Sequence, residues 1–239
     1  MKKLDRTGEI HITNEGYSIE IIIYNNKRDC TIKFQNGVII KNREYKDIVD
    51  GRIKNPYHPS VYGVGYYSIG KYVTKIKSIK QKNYQTWVGM LQRGYSQEYK
   101  DKFSTYQDVR VCEEWHNFQN FAKWYEENYV EGFVLDKDIL FKGNKIYSPE
   151  TCCFVPQEIN SIFIKSKNNL TMGITKRVNK FIIRIGKYNT IVYLGTYNTF
   201  EEAFVILKKE KEKYIKEVAE VWKSKISFKI YEAMLKYEV

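Results

Sequence analysis

The sequence predicts an α+β protein with a small N-terminal β module, a helical centre holding a short hairpin, and a C-terminal three-stranded antiparallel sheet packed on a helix. Three observations carry this prediction. Apolar and polar residues alternate with the period of a strand at 30–34 and at 181–187. Between those runs, apolar residues recur with helical spacing in two stretches. Asparagine and glycine mark turns between the alternating segments. The expected division is 1–75 for the β module, 76–165 for the centre and 168–239 for the sheet, its helix and a C-terminal helix.

In the N-terminal module, residues 18–24 are β-branched and apolar, and 30–34 alternate. Turns are expected at Asn25-Asn26 and Asn36-Gly37, with 38–41 answering 31–34 across the second. Glycine at 51, 63, 65 and 70, with Pro56 and Pro59, then keeps the chain extended and tightly turned.

In the centre, 84–95 carries Trp87, Met90 and Leu91 at helical spacing. A second helix over 115–129 presents Trp115, Phe118, Phe121, Ala122 and Tyr125 as one stripe and ends at Gly132. Both stripes read as core. Arg93 and Tyr95, on the first helix, are candidate DNA contacts, but packing of this face is the better reading.

Toward the C-terminus three strands are expected at 173–177, 181–187 and 190–197, joined by turns near Asn179 and Asn189. Thr199 with Glu202 makes a capping box, and Phe200, Ala203, Phe204 and Leu207 form the buried face of the helix that follows. A further helix at 217–238 carries Val218, Val221, Trp222, Ile226 and Ile230. Alternation places Arg184 on the sheet face away from the helix, with Lys176, Arg177, Lys180 and Lys187 clustered near it.

Charge narrows the function. The 239 residues are 43% hydrophobic and 15% aromatic, enough for packed cores, which excludes a disordered chain. The net charge of +12 points to a polyanionic partner. It is unevenly placed: 108–158 holds ten acidic and five basic residues, so this part is near −5 and the remainder near +17. Basic flanks around an acidic centre suit DNA-binding parts around a metal-binding part. The cysteines, Cys30, Cys112, Cys152 and Cys153, lack both a disulfide framework and the C-x-x-C spacing of zinc sites. His11, His58 and His116 are scattered. The opening MKKLDRTGEI has no apolar run, so a signal peptide is not expected, and no segment reaches the length of a membrane span.

The order of motifs is more specific than any of these. VCEEW at 111–115 is followed by the aromatic-rich helix and then by LDKDILFKGNKIYSPETCCFVPQEIN at 135–160. This resembles the HNH nucleases of bacteriophages, in which two short strands and a helix, the ββα-metal core, hold one divalent metal against a DNA phosphate. The resemblance extends upstream to Trp87, Met90, Arg93 and Tyr95, and to an N-terminal pattern of D-x-T-x-x-F-x-x-G at 29–37 and G-x-I-K-N-P-Y at 51–57. It implies that Asp136 is the metal-binding aspartate and that Asn144 orients the base or holds the loop. Lys137 stands where the family keeps its histidine base, and Thr151 where it has an asparagine able to bind metal. Asp138 is a candidate second carboxylate. The run LGTYNTFEEAF at 194–204, after three strands, is similar to the ethylene-response-factor (APETALA-type) DNA-binding domain, whose sheet enters the major groove with the helix behind it.

The expectations are then definite. Catalysis falls to Asp136, Lys137 and Asn144, one Mg²⁺ or Mn²⁺ to Asp136, Asp138 and Thr151, and double-stranded DNA to Lys176, Arg177, Lys180, Arg184 and Lys187. The setting is cytoplasmic, in the bacterial host if the gene is a phage's, and no membrane is involved. Two readings stay open: a homing-like HNH DNA endonuclease, and a catalytically silent DNA-binding protein acting as a regulator or host-defence antagonist. A third is single-stranded RNA binding on the basic, aromatic sheet.

Overall fold

A computed structural model describes residues 4–163, 173–188 and 190–239. The chain divides into two compact units, Met1–Lys71 and Tyr72–Val239.

The first unit is a four-stranded antiparallel sheet in sequence order: β1 (Ile10–Ile12), β2 (Ser18–Asn26), β3 (Asp29–Phe34) and β4 (Ile39–Arg43). A short helix α1 (Tyr45–Val49) follows. Alternation puts Ile19, Ile21, Cys30, Ile32 and Phe34 on one face, where they pack with Ile48 of α1 and Ile53. The Asn36-Gly37 turn forms as expected, with Gly37 at φ +85° and Ile32 opposite Ile40. The first turn is displaced. Asn25 and Asn26 end β2, and the chain reverses at Lys27-Arg28 because Asn26 Oδ1 accepts from the Arg28 N–H, placing asparagine before the corner instead of on it. After Gly51, the pairing is limited to a single bridge between Val61 and Gly65 among the described residues of this unit.

The second unit begins with a small hairpin of β5 (Lys75–Ile76) and β6 (Ile79–Lys80). Helix α2 (Lys82–Tyr95) buries Trp87, Met90 and Leu91. Helix α3 (Gln97–Lys102), capped by Ser96, and a 3-10 turn at Ser104–Tyr106 lead to β7 (Arg110–Val111). The second central helix is shorter than its apolar stripe. Asn117 accepts from the Gln119 N–H and caps α4 (Phe118–Asn128), leaving Trp115 in a preceding 3-10 turn. Trp115 is buried all the same, and the Trp87 indole N–H donates to its carbonyl at 2.7 Å. Gly132 lies in the turn beyond the helix at φ +80°.

Then come β8 (Phe133–Asp136), β9 (Ile146–Tyr147), β10 (Cys153–Pro156) and α5 (Gln157–Ile162). β8 and β10 are antiparallel, with Cys153 opposite Asp136, and β9 runs parallel to β7. The order is strand, long loop, strand, helix.

The last sheet is β11 (Ile174–Arg177), β12 (Lys180–Lys187) and β13 (Thr190–Tyr197), antiparallel throughout. The turn expected near Asn189 lies outside the described residues. Helix α6 (Phe200–Trp222) opens with the complete Thr199–Glu202 capping box. Its first half packs Ala203 and Leu207 against Ile174 and Ile183. Its second half joins Tyr214, Ile215, Val218 and Ala219 to Ile139, Val155 and Ile159 of the strand–loop–strand–helix segment. The helix expected at 217–238 is therefore divided. Residues up to Trp222 continue α6, and Ser227 caps a separate α7 (Phe228–Leu235), which adds Ile230 and Met234 to the same core. Among the described residues, no helix is long and apolar enough to cross a membrane.

Candidate functional site

Asp136 is the last residue of β8, and the chain must turn immediately after it. Its Oδ1 accepts from the N–H groups of Asp138 at 2.7 Å and Ile139 at 2.8 Å, fixing that turn. Desolvation raises the carboxyl above its ordinary value, against the lowering effect of those two donors.

The loop after Asp136 is held by a reciprocal latch. The Lys137 ammonium donates to Asp138 Oδ2 at 2.8 Å and to the Asn144 carbonyl at 2.9 Å. Asn144 Nδ2 returns bonds to the Lys137 carbonyl at 2.8 Å and the Ile146 carbonyl at 2.7 Å, while its Oδ1 accepts from the Ile146 N–H. Asn144 thus holds the loop, and every polar atom of its amide is committed. Lys137 is buried, and an ammonium that donates two such bonds has no lone pair for a proton.

A cavity of about 320 Å³ opens beside this turn. Asp136, Lys137 and Asp138 line it, together with Asn160 from α5, Arg93 from α2 and Tyr147 from β9. Thr151 is absent from this lining. Its hydroxyl donates to the Ile146 carbonyl at 2.7 Å and lies 3.1 Å from the Ser148 hydroxyl, stitching the turn into β10. The expected metal set is therefore not gathered whole: Asp136 and Asp138 share the cavity, and Thr151 does not line it.

The oxygens decide whether a divalent cation suits the cavity. Asp138 Oδ2 already accepts from Lys137. Asp136 Oδ2 and the Asn160 side-chain amide receive no hydrogen bond among the described residues. One carboxylate oxygen and one amide oxygen, from a strand end and a helix, fit a hard cation that completes its shell with water and substrate. Among the described residues no cluster of three His, Cys, Asp or Glu side chains is gathered, so a richer carboxylate cage is not on offer.

The sequence does not single out Asn160, and Arg93, preferred there as a packing residue over a DNA contact, lies on the cavity lining. Arg93 falls on a helix whose other side is core, and Asn160 lies 24 positions beyond Asp136, a separation that local periodicity does not connect. The Gln-Glu-Ile-Asn run directly after a strand was the available signal.

The C-terminal sheet forms the second candidate surface. Its register sorts the five expected DNA contacts into two groups. Arg177 opposes Lys180, and Arg184 opposes Tyr193, on the face away from α6. All four are exposed. Thr196 shares that face and accepts or donates one bond with the Tyr193 hydroxyl at 2.8 Å. Lys180 bonds the Asn198 side chain, and neither Arg177 nor Arg184 pairs with a carboxylate among the described residues. Lys176 and Lys187 face the other way. Lys176 opposes Phe181 and sits 5.9 Å above its ring, while Lys187 is mostly buried, 3.1 Å from Glu210 on α6. Odd positions of β12 point to the helix, and Lys187 is one of them.

Comparison with family models, characterised proteins and solved structures finds no match to this chain.

Proposed function

We propose that the protein is a DNA endonuclease of the HNH type, which binds duplex DNA on the outer face of the C-terminal sheet and hydrolyses a phosphodiester at the central cavity with one divalent metal. The observation that carries this reading is the meeting of Asp136, at the end of one strand, with Asn160, on the helix after the next, in a single cavity. Strand, loop, strand and helix are the parts that the resemblance to HNH nucleases requires, in the required order.

Asp136 Oδ2 and the Asn160 amide oxygen would hold the ion, Mg²⁺ or Mn²⁺. When bound, the ion supplies charge to the scissile phosphate and acidifies a water. Asp136 is held for this by its own turn, so its open oxygen needs no reordering. Lys137 and Asn144 keep the loop shut behind it. Asp138 is a second carboxylate on the lining, and its bond to Lys137 keeps it in place. Arg177, Lys180 and Arg184 neutralise backbone phosphates, which makes affinity fall with salt.

One observation favours a second reading, a DNA-binding protein that does not cut. The position that carries histidine in HNH enzymes holds Lys137, and its ammonium is consumed by the latch. Incubating supercoiled plasmid with the protein and Mg²⁺ or Mn²⁺, with EDTA as control, separates the two. Nicked or linear product that EDTA suppresses supports the endonuclease. Salt-dependent binding without product under either metal supports the silent protein.

A further inference from the structure

The cavity contains a positive charge that neither the loop latch nor the metal pair uses. We propose that Arg93 is the phosphate-receiving residue of the central cavity, which would take a phosphodiester with its anionic oxygens against the Arg93 guanidinium. This rests on the reading of the cavity as a cleavage site and adds how that site holds its substrate.

Arg93 lies in the last turn of α2, a helix anchored by Trp87, Met90 and Leu91. The guanidinium folds back along the helix, with Nη1 3.8 Å from where a β-carbon on Gly89 would stand. It then faces the cavity from the α2 side, with Tyr106 and Tyr147 beside it on the lining. Burial opposes its charge, and the phenols of Tyr99 and Tyr106 stand within hydrogen-bonding reach of it. Among the described residues no carboxylate forms an ion pair with it.

A largely shielded guanidinium normally meets a carboxylate or phosphate, since leaving it unpaired is costly. Its planar fork binds two phosphate oxygens at once, a geometry that a lysine cannot reproduce. The other cations on the lining are committed elsewhere: Lys137 to the latch and Lys145 to the Thr105 carbonyl at 3.4 Å. Arg93 is the cation left for a ligand.

The test uses the full-length protein and inorganic phosphate as probe. In a ¹⁵N-labelled sample, the arginine Nε–H resonance that disappears in Arg93→Lys should shift saturably as phosphate is added. Arg93→Gln should weaken phosphate binding by about tenfold or more and slow plasmid cleavage by about 100-fold, with an unchanged melting temperature. A phosphate titration that leaves the Arg93 resonance unmoved overturns the proposal, as does Arg93→Gln binding phosphate like wild type. If Arg93→Gln fails to fold, the wild-type resonance decides alone. Phosphate bound at Arg93 by a protein that cuts no DNA leaves this site standing and removes the endonuclease reading. Equal plasmid cleavage by wild type and Arg93→Gln does the reverse.

Discussion

The outer face of the C-terminal sheet and the central cavity both present cationic side chains, yet they treat them in opposite ways. On the sheet, Arg177 and Arg184 are exposed and make no ion pair among the described residues. In the cavity, Lys137 is buried and donates to two acceptors of its own loop. Exposed, unpaired cations cost little to hold and can exchange counterions for phosphates, so they suit affinity over many backbone positions. A buried lysine with two bonds to its own loop is structural, and on the proposed reading the chemistry beside it would pass to Asp136, Asn160 and Arg93. The comparison teaches that charge alone does not mark function here. Commitment of the charge does.

The largest expected effect lies on the sheet. Replacing Arg177 and Arg184 together by Ala should weaken duplex binding by about 100-fold and lower the salt slope of log K by about two. Titrations at several salt concentrations measure both. An unchanged slope would move the DNA interface elsewhere. In the cavity the same kind of change should act on stability first. Asn144→Ala removes the side-chain half of the latch and leaves the Lys137 bond to the backbone carbonyl of residue 144; it should cost about 2–3 kcal/mol, read from denaturant midpoints, with binding to duplex retained. A variant as stable as wild type would show that the latch does not hold the loop.

Asp136→Asn should have a smaller effect, with a defined sign. Burial raises the Asp136 pKa in the folded protein above its unfolded value. The stability contributed by its bound proton is present at low pH and is lost as pH rises through the folded value. At neutral pH the ionised carboxylate is therefore a net cost, whereas Asn keeps an oxygen for the Asp138 and Ile139 N–H groups. The variant should melt higher than wild type at pH 7, and the gap should close in acid. The smallest effect belongs to Lys187→Ala. Its ion pair with Glu210 faces α6, so duplex affinity should stay within error of wild type, while stability should fall by about 1–2 kcal/mol.

The two regions also differ in how far the sequence revealed them. The sheet was legible nearly to the residue, because period-two alternation and a capping box are local signals: the third strand was placed at Thr190–Tyr197, and the Thr199 cap at its observed position. What failed there was finer. Hairpin pairing brings Lys176 and Lys187 near Arg184, while pleat parity sends them to the other face. In the centre, Asp136 and the loop-holding Asn144 were legible from the motif order. Thr151 is assigned by its match to the family's asparagine position; its hydroxyl donates to the Ile146 carbonyl and it does not line the cavity. Motif order includes Arg93 and Asn160 but does not show that they share a cavity with Asp136, since α2 and α5 supply them and only tertiary packing joins them to β8.

The proposed role of Asp136 is metal-dependent cleavage at this cavity. The most direct measurement compares wild type and Asp136→Asn for cleavage of supercoiled DNA under Mg²⁺ and under Mn²⁺, with duplex affinity measured in parallel. The account predicts nicked or linear product from wild type, none from the variant, and the same affinity for both, because the lost group acts on the transition state and not on docking. Equal cleavage by Asp136→Asn, or no cleavage by wild type with either metal, would contradict it.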